Sequence, residues 1–180
     1  MLASAVAYLC LSHLMFTRFW NGDGVGVIRV FTTPARGRIA ASAERMKAAA
    51  WAVGTPPSAF QMRQTSILYD LLWQRWRLNN SGGAAYAWGY GIIIADTYWI
   101  SDMSDAELDC VMAHEIGHVI QYDARSEAAR PTLELLADRT AARLCGPDAW
   151  NAFFAKYIGA RRPIDGPGSR GRSFLGCHKQ

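Results

Sequence analysis

The chain has 180 residues, 51% of them hydrophobic and 19% charged. At roughly 100–200 residues per domain that is one domain, long enough to bury on the order of 70% of its unfolded surface. Seven tryptophans and a modest charge content exclude a disordered chain, no repeat of roughly 20–50 residues indicates a solenoid, and no run reaches the ~18 apolar residues of a membrane span. The net charge of +4 is unevenly spread: residues 1–80 carry +6, residues 81–150 carry −7 and residues 151–180 carry +5. The basic side chains are mostly single scattered arginines and the middle third is acidic, so no nucleic-acid partner is expected.

The chain divides into an apolar N-terminal segment (1–24), a central domain (25–160) and a flexible basic tail (161–180). Leu2–Phe16 lacks the basic start and small-residue cleavage site of a signal peptide. It reads as a core helix, as a short anchor giving membrane association or as the tail of a longer span, the first two favoured equally, so the expected location is cytoplasmic or membrane-associated. Val25–Thr33 is rich in β-branched residues and stops at Pro34, which predicts a strand. Arg38–Val53 is Ala-rich and ends at Gly54-Thr55-Pro56-Pro57, a helix with its stop signal. Ser58–Leu78 has apolar residues at 60, 67, 68, 71, 72 and 76 and reads as helical. After the turn residues Asn79–Gly83, Tyr86–Ile94 reads as one strand, followed by a loop to Ser101.

Ser104-Asp105-Ala106-Glu107 is a capping box that opens a helix running to about Tyr122. Thr132–Cys145 is the next helix, closed by Gly146-Pro147, and Trp150–Ile158 a last short one. Cys110 and Cys145 fall inside helical patterns and read as buried free thiols; with Cys10 and Cys177 they form no CxxC pair. The elements together predict an α+β fold, mainly helical, with a small sheet beside the capped helix.

That helix contains His114-Glu115-Ile116-Gly117-His118. Chance alone produces an HExxH in roughly 2 of 1,000 such sequences, so its position on a helix supplies the remaining specificity. Residues four apart on a helix differ by about 40° in azimuth and 6 Å in rise, so both imidazoles project from one face. Two imidazole nitrogens are half of a tetrahedral zinc shell. Glu115, rotated by about 100° from His114, points beside the metal, where a carboxylate can take a proton from water.

A catalytic zinc needs a third protein ligand and an open fourth position. Downstream candidates are Asp123, Glu127, Glu134 and Asp138. Glu134 and Asp138 lie four apart on a helix, so Glu134 is favoured as the ligand, with Asp138 one turn away to accept the free ring N–H of a ligand histidine. A metzincin reading fails, because Gln121 and Ala124 stand where that motif has Gly and its third ligand.

These stretches carry a resemblance. Asp105-Ala106-Glu107-Leu108, Val111–Val119 and Glu134-x-x-Ala137-Asp138-x-x-Ala141 resemble the gluzincin metallopeptidases of the HtpX and CAAX prenyl protease family. Ala85–Ile92 is similar to that family's strand along the active-site cleft. The matching stretch covers about residues 80–145. It implies a zincin-like fold, zinc bound by His114, His118 and Glu134, Glu115 as general base, and Asp138 orienting a ligand histidine. The family's His-Pro…Arg element has no counterpart here.

The function expected is a zinc-dependent endopeptidase acting on a protein or peptide. An alternative is a regulatory metallopeptidase like the ImmA/IrrE group, although that group usually has Asn where this chain has Asp138. A non-catalytic zinc-binding module is the third reading; Glu115 argues against it, since a structural site needs no base. In the strand, aromatics at 86, 88 and 90 alternate with Ala87, Gly89 and Gly91, which predicts one face of rings for the core and one nearly bare. The bare face, with Ala87 and Gly89, either accommodates a helix, as in a routine core strand, or borders the cleft on an edge strand where an extended substrate would pair by main-chain hydrogen bonds.

Overall fold

The computed structural model describes residues 31–67, 69, 85–88, 91–123 and 130–157. In chain order these form β1 (Thr32–Pro34), α1 (Gly37–Ala52), β2 (Gln61–Thr65), β3 (Ala85–Trp88), β4 (Ile92–Ala95), α2 (Thr97–Ile100), α3 (Asp105–Asp123), α4 (Arg130–Cys145) and α5 (Pro147–Tyr157). The fold is α+β and mainly helical, with a small sheet against the HExxH helix α3.

The sheet has four strands in the order β1-β2-β4-β3. β1 and β2 are antiparallel, β2 and β4 parallel, and β4 and β3 antiparallel. Ile92–Ala95 is buried throughout, as a short apolar run flanked by two strands should be. Pro34 sits in β1, on the sheet edge, where a missing N–H is tolerated. Of the predicted strand Val25–Thr33, Thr32 and Thr33 lie in β1, and residues 25–30 lie outside the described residues.

Three expectations are corrected. The stretch from Ser58 contains the strand β2 rather than continuous helix. Gln61-Met62-Arg63-Gln64-Thr65 has no apolar alternation, and its extended form comes from pairing on both sides with β1 and β4. Arg63 reinforces that pairing by donating to Thr32 Oγ1 at 2.6 Å and to the Thr32 carbonyl at 2.8 Å. Second, Tyr86–Ile94 is two strands, with Trp88 paired to Ile92 across a three-residue connection. Gly91 closes it at φ 67°, and an added Cβ there would sit 3.0 Å from the Ala59 carbonyl oxygen. Third, the loop to Ser101 contains α2, capped by the Asp96 carboxylate, which accepts from the Tyr98 amide at 3.0 Å.

α3 is buried on nearly all sides: Leu108, Cys110, Val111, Met112, Ala113 and Ile116 have no exposed surface. Its start is the expected capping box. The Ser104 amide donates to Glu107 Oε2 at 2.7 Å and the Glu107 amide to Ser104 Oγ at 3.3 Å. α1 buries Ile39, Ala43, Met46 and Ala50, a stripe at helical spacing, into the same core cluster. Polar contacts fix its rotation: Ser42 Oγ donates to Asp109 Oδ1 at 2.5 Å and Arg45 to the same oxygen at 2.7 Å.

Membrane association through Leu2–Phe16 is also corrected: among the described residues no helix is long and apolar enough to cross a membrane. A spanning helix needs about 20 apolar residues. The longest here, α3, has 19 and includes Asp105, Glu107, Asp109, Glu115 and Asp123. Leu2–Phe16 itself, the basic tail 161–180 and Gly89 lie outside the described residues.

Candidate active site

The site is built where α3 meets α4. Their close approach depends on Gly117, the fourth residue of the HExxH motif. A Cβ there would lie 3.0 Å from Ala137 Cα and 3.1 Å from Thr140 Cβ. With Ala137 and Ala141 completely buried opposite, the two backbones come together over small residues. This brings the carboxylates of α4 to the histidine face of α3. Sequence spacing shows where Gly117 stands, but what it packs against becomes visible only in three dimensions.

His114 and His118 project from one face, as their spacing requires, with Nε2 atoms 3.0 Å apart. Glu134 Oε2 completes a triangle, 3.5 Å from His114 Nε2 and 3.8 Å from His118 Nε2. All three side chains are buried, and they form the one cluster among the described residues with the spacing of a metal site. A triangle with these sides has its equidistant point about 2.0 Å from each corner, matching the ~2.0–2.2 Å of zinc–nitrogen and zinc–carboxylate bonds. The residues fit zinc. Of the other sequence candidates, Asp123 is the last residue of α3 and Glu127 lies outside the described residues.

Asp138 stands on the far side of His114, its Oδ1 3.0 Å from Nδ1. The fourth neighbour of that imidazole was not anticipated from sequence. Trp150, fully buried at the start of α5, stacks on His114 with ring centroids 6.0 Å apart and planes 8° from parallel. Only the helical position of Trp150 was legible; the contact arises because Pro147 starts α5 directly after α4.

The electrostatics follow from burial and from these neighbours. Burial alone lowers the His114 pKa, but the contacts with Asp138 and Glu134 and the charge of Glu115 outweigh it and push it up to about 10. Burial likewise dominates at His118, which is lowered despite Glu134. Burial raises Glu134, yet the two histidines hold its carboxyl well below the ordinary range. Glu115 has no exposed surface, and neither carboxylate oxygen has a hydrogen-bond partner among the described residues. Burial, then repulsion from Glu134, push it up to about 7 against the attraction of His114 and the nearby Ala87 amide.

Residues 27–158 match peptidase family M48. The chain belongs to this family. Comparisons with curated proteins and with solved structures returned no match. As an M48 peptidase it is a zinc-dependent endopeptidase of the gluzincin type, and His114, His118 and Glu134 are the group whose geometry suits the metal. Membership also settles the choice against the ImmA/IrrE-like reading and against a purely structural zinc.

The M48 strand beside the site differs from expectation in one respect. Ala85 and Ala87 are buried in the core cluster, so the small-residue face of β3 packs inward. The bare face was expected to lie open to substrate. What brings β3 to the site is its main chain: the Ala87 amide favours the ionised form of Glu115.

Proposed function

We propose that Glu115 is the general base of this peptidase, that His114, His118 and Glu134 hold its zinc, and that Asp138 fixes the ring of His114. The observation that carries the reading is the complete burial of the Glu115 carboxylate directly after one ligand histidine, with no side-chain hydrogen-bond partner among the described residues. An isolated buried carboxylate is costly unless a bound group compensates it. When bound, zinc supplies Lewis acidity, polarising the scissile carbonyl and acidifying a water. Glu115 takes the proton from that water and returns it to the leaving amine. Asp138 Oδ1, 3.0 Å from Nδ1 of His114, is placed to favour the Nδ1–H tautomer, which leaves the Nε2 lone pair for the cluster. The match over residues 27–158 supports taking 25–160 as the catalytic domain.

An extended peptide then pairs along β3, with Ala87 and Gly89 offering main-chain groups. Support comes from the position of β3 at the end of the strand order, where among the described residues only β4 pairs with it. Two main-chain bonds at about 0.5–1.5 kcal/mol each correspond to roughly 5–150-fold in kcat/KM. Ala87→Pro and Gly89→Val should each lose cleavage of long peptides within this range, with zinc content and Tm close to wild type. Ala87→Pro also removes the amide beside Glu115, so Gly89→Val isolates the substrate effect. Untouched cleavage in folded variants, or unfolding of both, places the substrate elsewhere.

A further inference from the structure

Two thiols outside the site face each other across the same helix pair. Cys110 lies on α3 one turn before His114, and Cys145 is the last residue of α4, which carries Glu134 and Asp138. Their sulfurs are 3.0 Å apart, with both cysteines free. A disulfide has an S–S bond of about 2.04 Å, so closure asks for about 1 Å of side-chain movement. Cys110 has no exposed surface, whereas Cys145 is only partly buried.

We propose that Cys110 and Cys145 are an oxidisable dithiol that a hydroperoxide converts into a disulfide joining α3 to α4. The asymmetry of the pair assigns the roles. Cys110 donates its S–H to Cys145 Sγ, which stabilises an anion on Cys145, the less buried member. That hydrogen bond holds the Cys145 thiol below its ordinary pKa, while the same contact and burial push Cys110 up.

Cys145 therefore attacks the peroxide: its S–O bond forms, the O–O bond breaks, and the alcohol (water, from hydrogen peroxide) leaves with the thiol proton. Cys110 then attacks the resulting sulfenic sulfur. The S–S bond forms, the S–O bond breaks, and the hydroxide leaves as water with the Cys110 proton. Two thiols and one hydroperoxide become one disulfide, one alcohol and one water. The bond would tie the helix of His114 and His118 to the helix of Glu134, the two halves of the ligand set.

The test treats the full zinc-loaded chain with a small excess of hydrogen peroxide, blocks remaining thiols and maps peptides by mass. The expected product is a linked Cys110–Cys145 peptide, about 2 Da lighter than the two thiol peptides and separated by dithiothreitol. The oxidised protein should melt roughly 5–15 °C higher than the reduced one. In Cys110→Ala, Cys145 should stop at a sulfenic acid that dimedone captures. If that variant does not fold, the wild-type map decides alone. Recovery of both residues as thiols, a sulfinic acid on Cys145 beside an intact Cys110, or a disulfide made with Cys10 or Cys177 would each overturn the proposal.

Discussion

Trp150 lies flat against the imidazole of His114, with centroids 6.0 Å apart and planes within 8°. The ring thus lies between an indole face and the Asp138 carboxylate, 3.0 Å from Nδ1, and in the proposed reading these neighbours set its position for the metal. Trp150 also packs on Phe153 and Phe154, and so anchors α5 to the site. Trp150→Ala should cost about 3–5 kcal/mol in urea unfolding, the usual result of emptying a buried tryptophan site. Trp150→Phe should cost clearly less, because the indole N–H it removes has no partner among the described residues. Equal losses for the two would mean that packing volume is not what matters at this position.

Zinc content separates the carboxylates. Glu134→Ala should empty most of the site, since its oxygen lies within 3.8 Å of both histidine Nε2 atoms. Asp123→Ala and Glu127→Ala should retain about one zinc per chain. Metal analysis of the three purified variants checks this, and loss of zinc from either of the latter two contradicts the assignment.

Asp138→Ala leaves all three ligands in place but frees the His114 ring. Its affinity for zinc should fall about 10–100-fold, with some turnover remaining at saturating metal. Competition with a chromophoric chelator measures the change. Wild-type affinity would remove Asp138 from any role in holding the ring.

Local signals made the centre of the fold legible and left its margins obscure. The capping box, the i, i+4 histidines and the acidic pair on α4 all depend on neighbours within one helix, and each stands where the sequence placed it. β2 was missed because its five residues are extended by their partners on either side rather than by any pattern of their own. The split between β3 and β4 was signalled by Gly91, whose positive φ no strand interior accommodates. Trp150 against His114 and Gly117 against Ala137 are contacts between helices, which a one-dimensional reading cannot pair.

Glu107 gives a prediction away from the metal. Its hydrogen bond from Lys156, at 2.6 Å, and those from Ser104 lower its pKa from 4.5 to about 2 despite partial burial. A carboxyl depressed on folding adds stability that is fully present above its unfolded pKa and lost as pH falls through the folded one. The contribution should therefore fade between pH 4.5 and about 2. Glu107→Gln keeps a capping-box side chain but loses the charge, so Tm should drop by on the order of a few degrees at pH 7. The two proteins should converge at the acid end of that window. A constant difference down to pH 2 would show that the charge is not the cause.

The most direct measurement of the central claim is turnover by Glu115→Gln set beside its zinc content. The amide keeps the shape of the side chain but cannot accept a proton at neutral pH. Peptide cleavage should fall by roughly 10²–10⁴, with zinc at about one per chain and Tm no lower than wild type, since a fully buried carboxylate has been replaced by a neutral group. Cleavage at the wild-type rate, in a preparation free of other proteases, would contradict the assignment of Glu115 as the base.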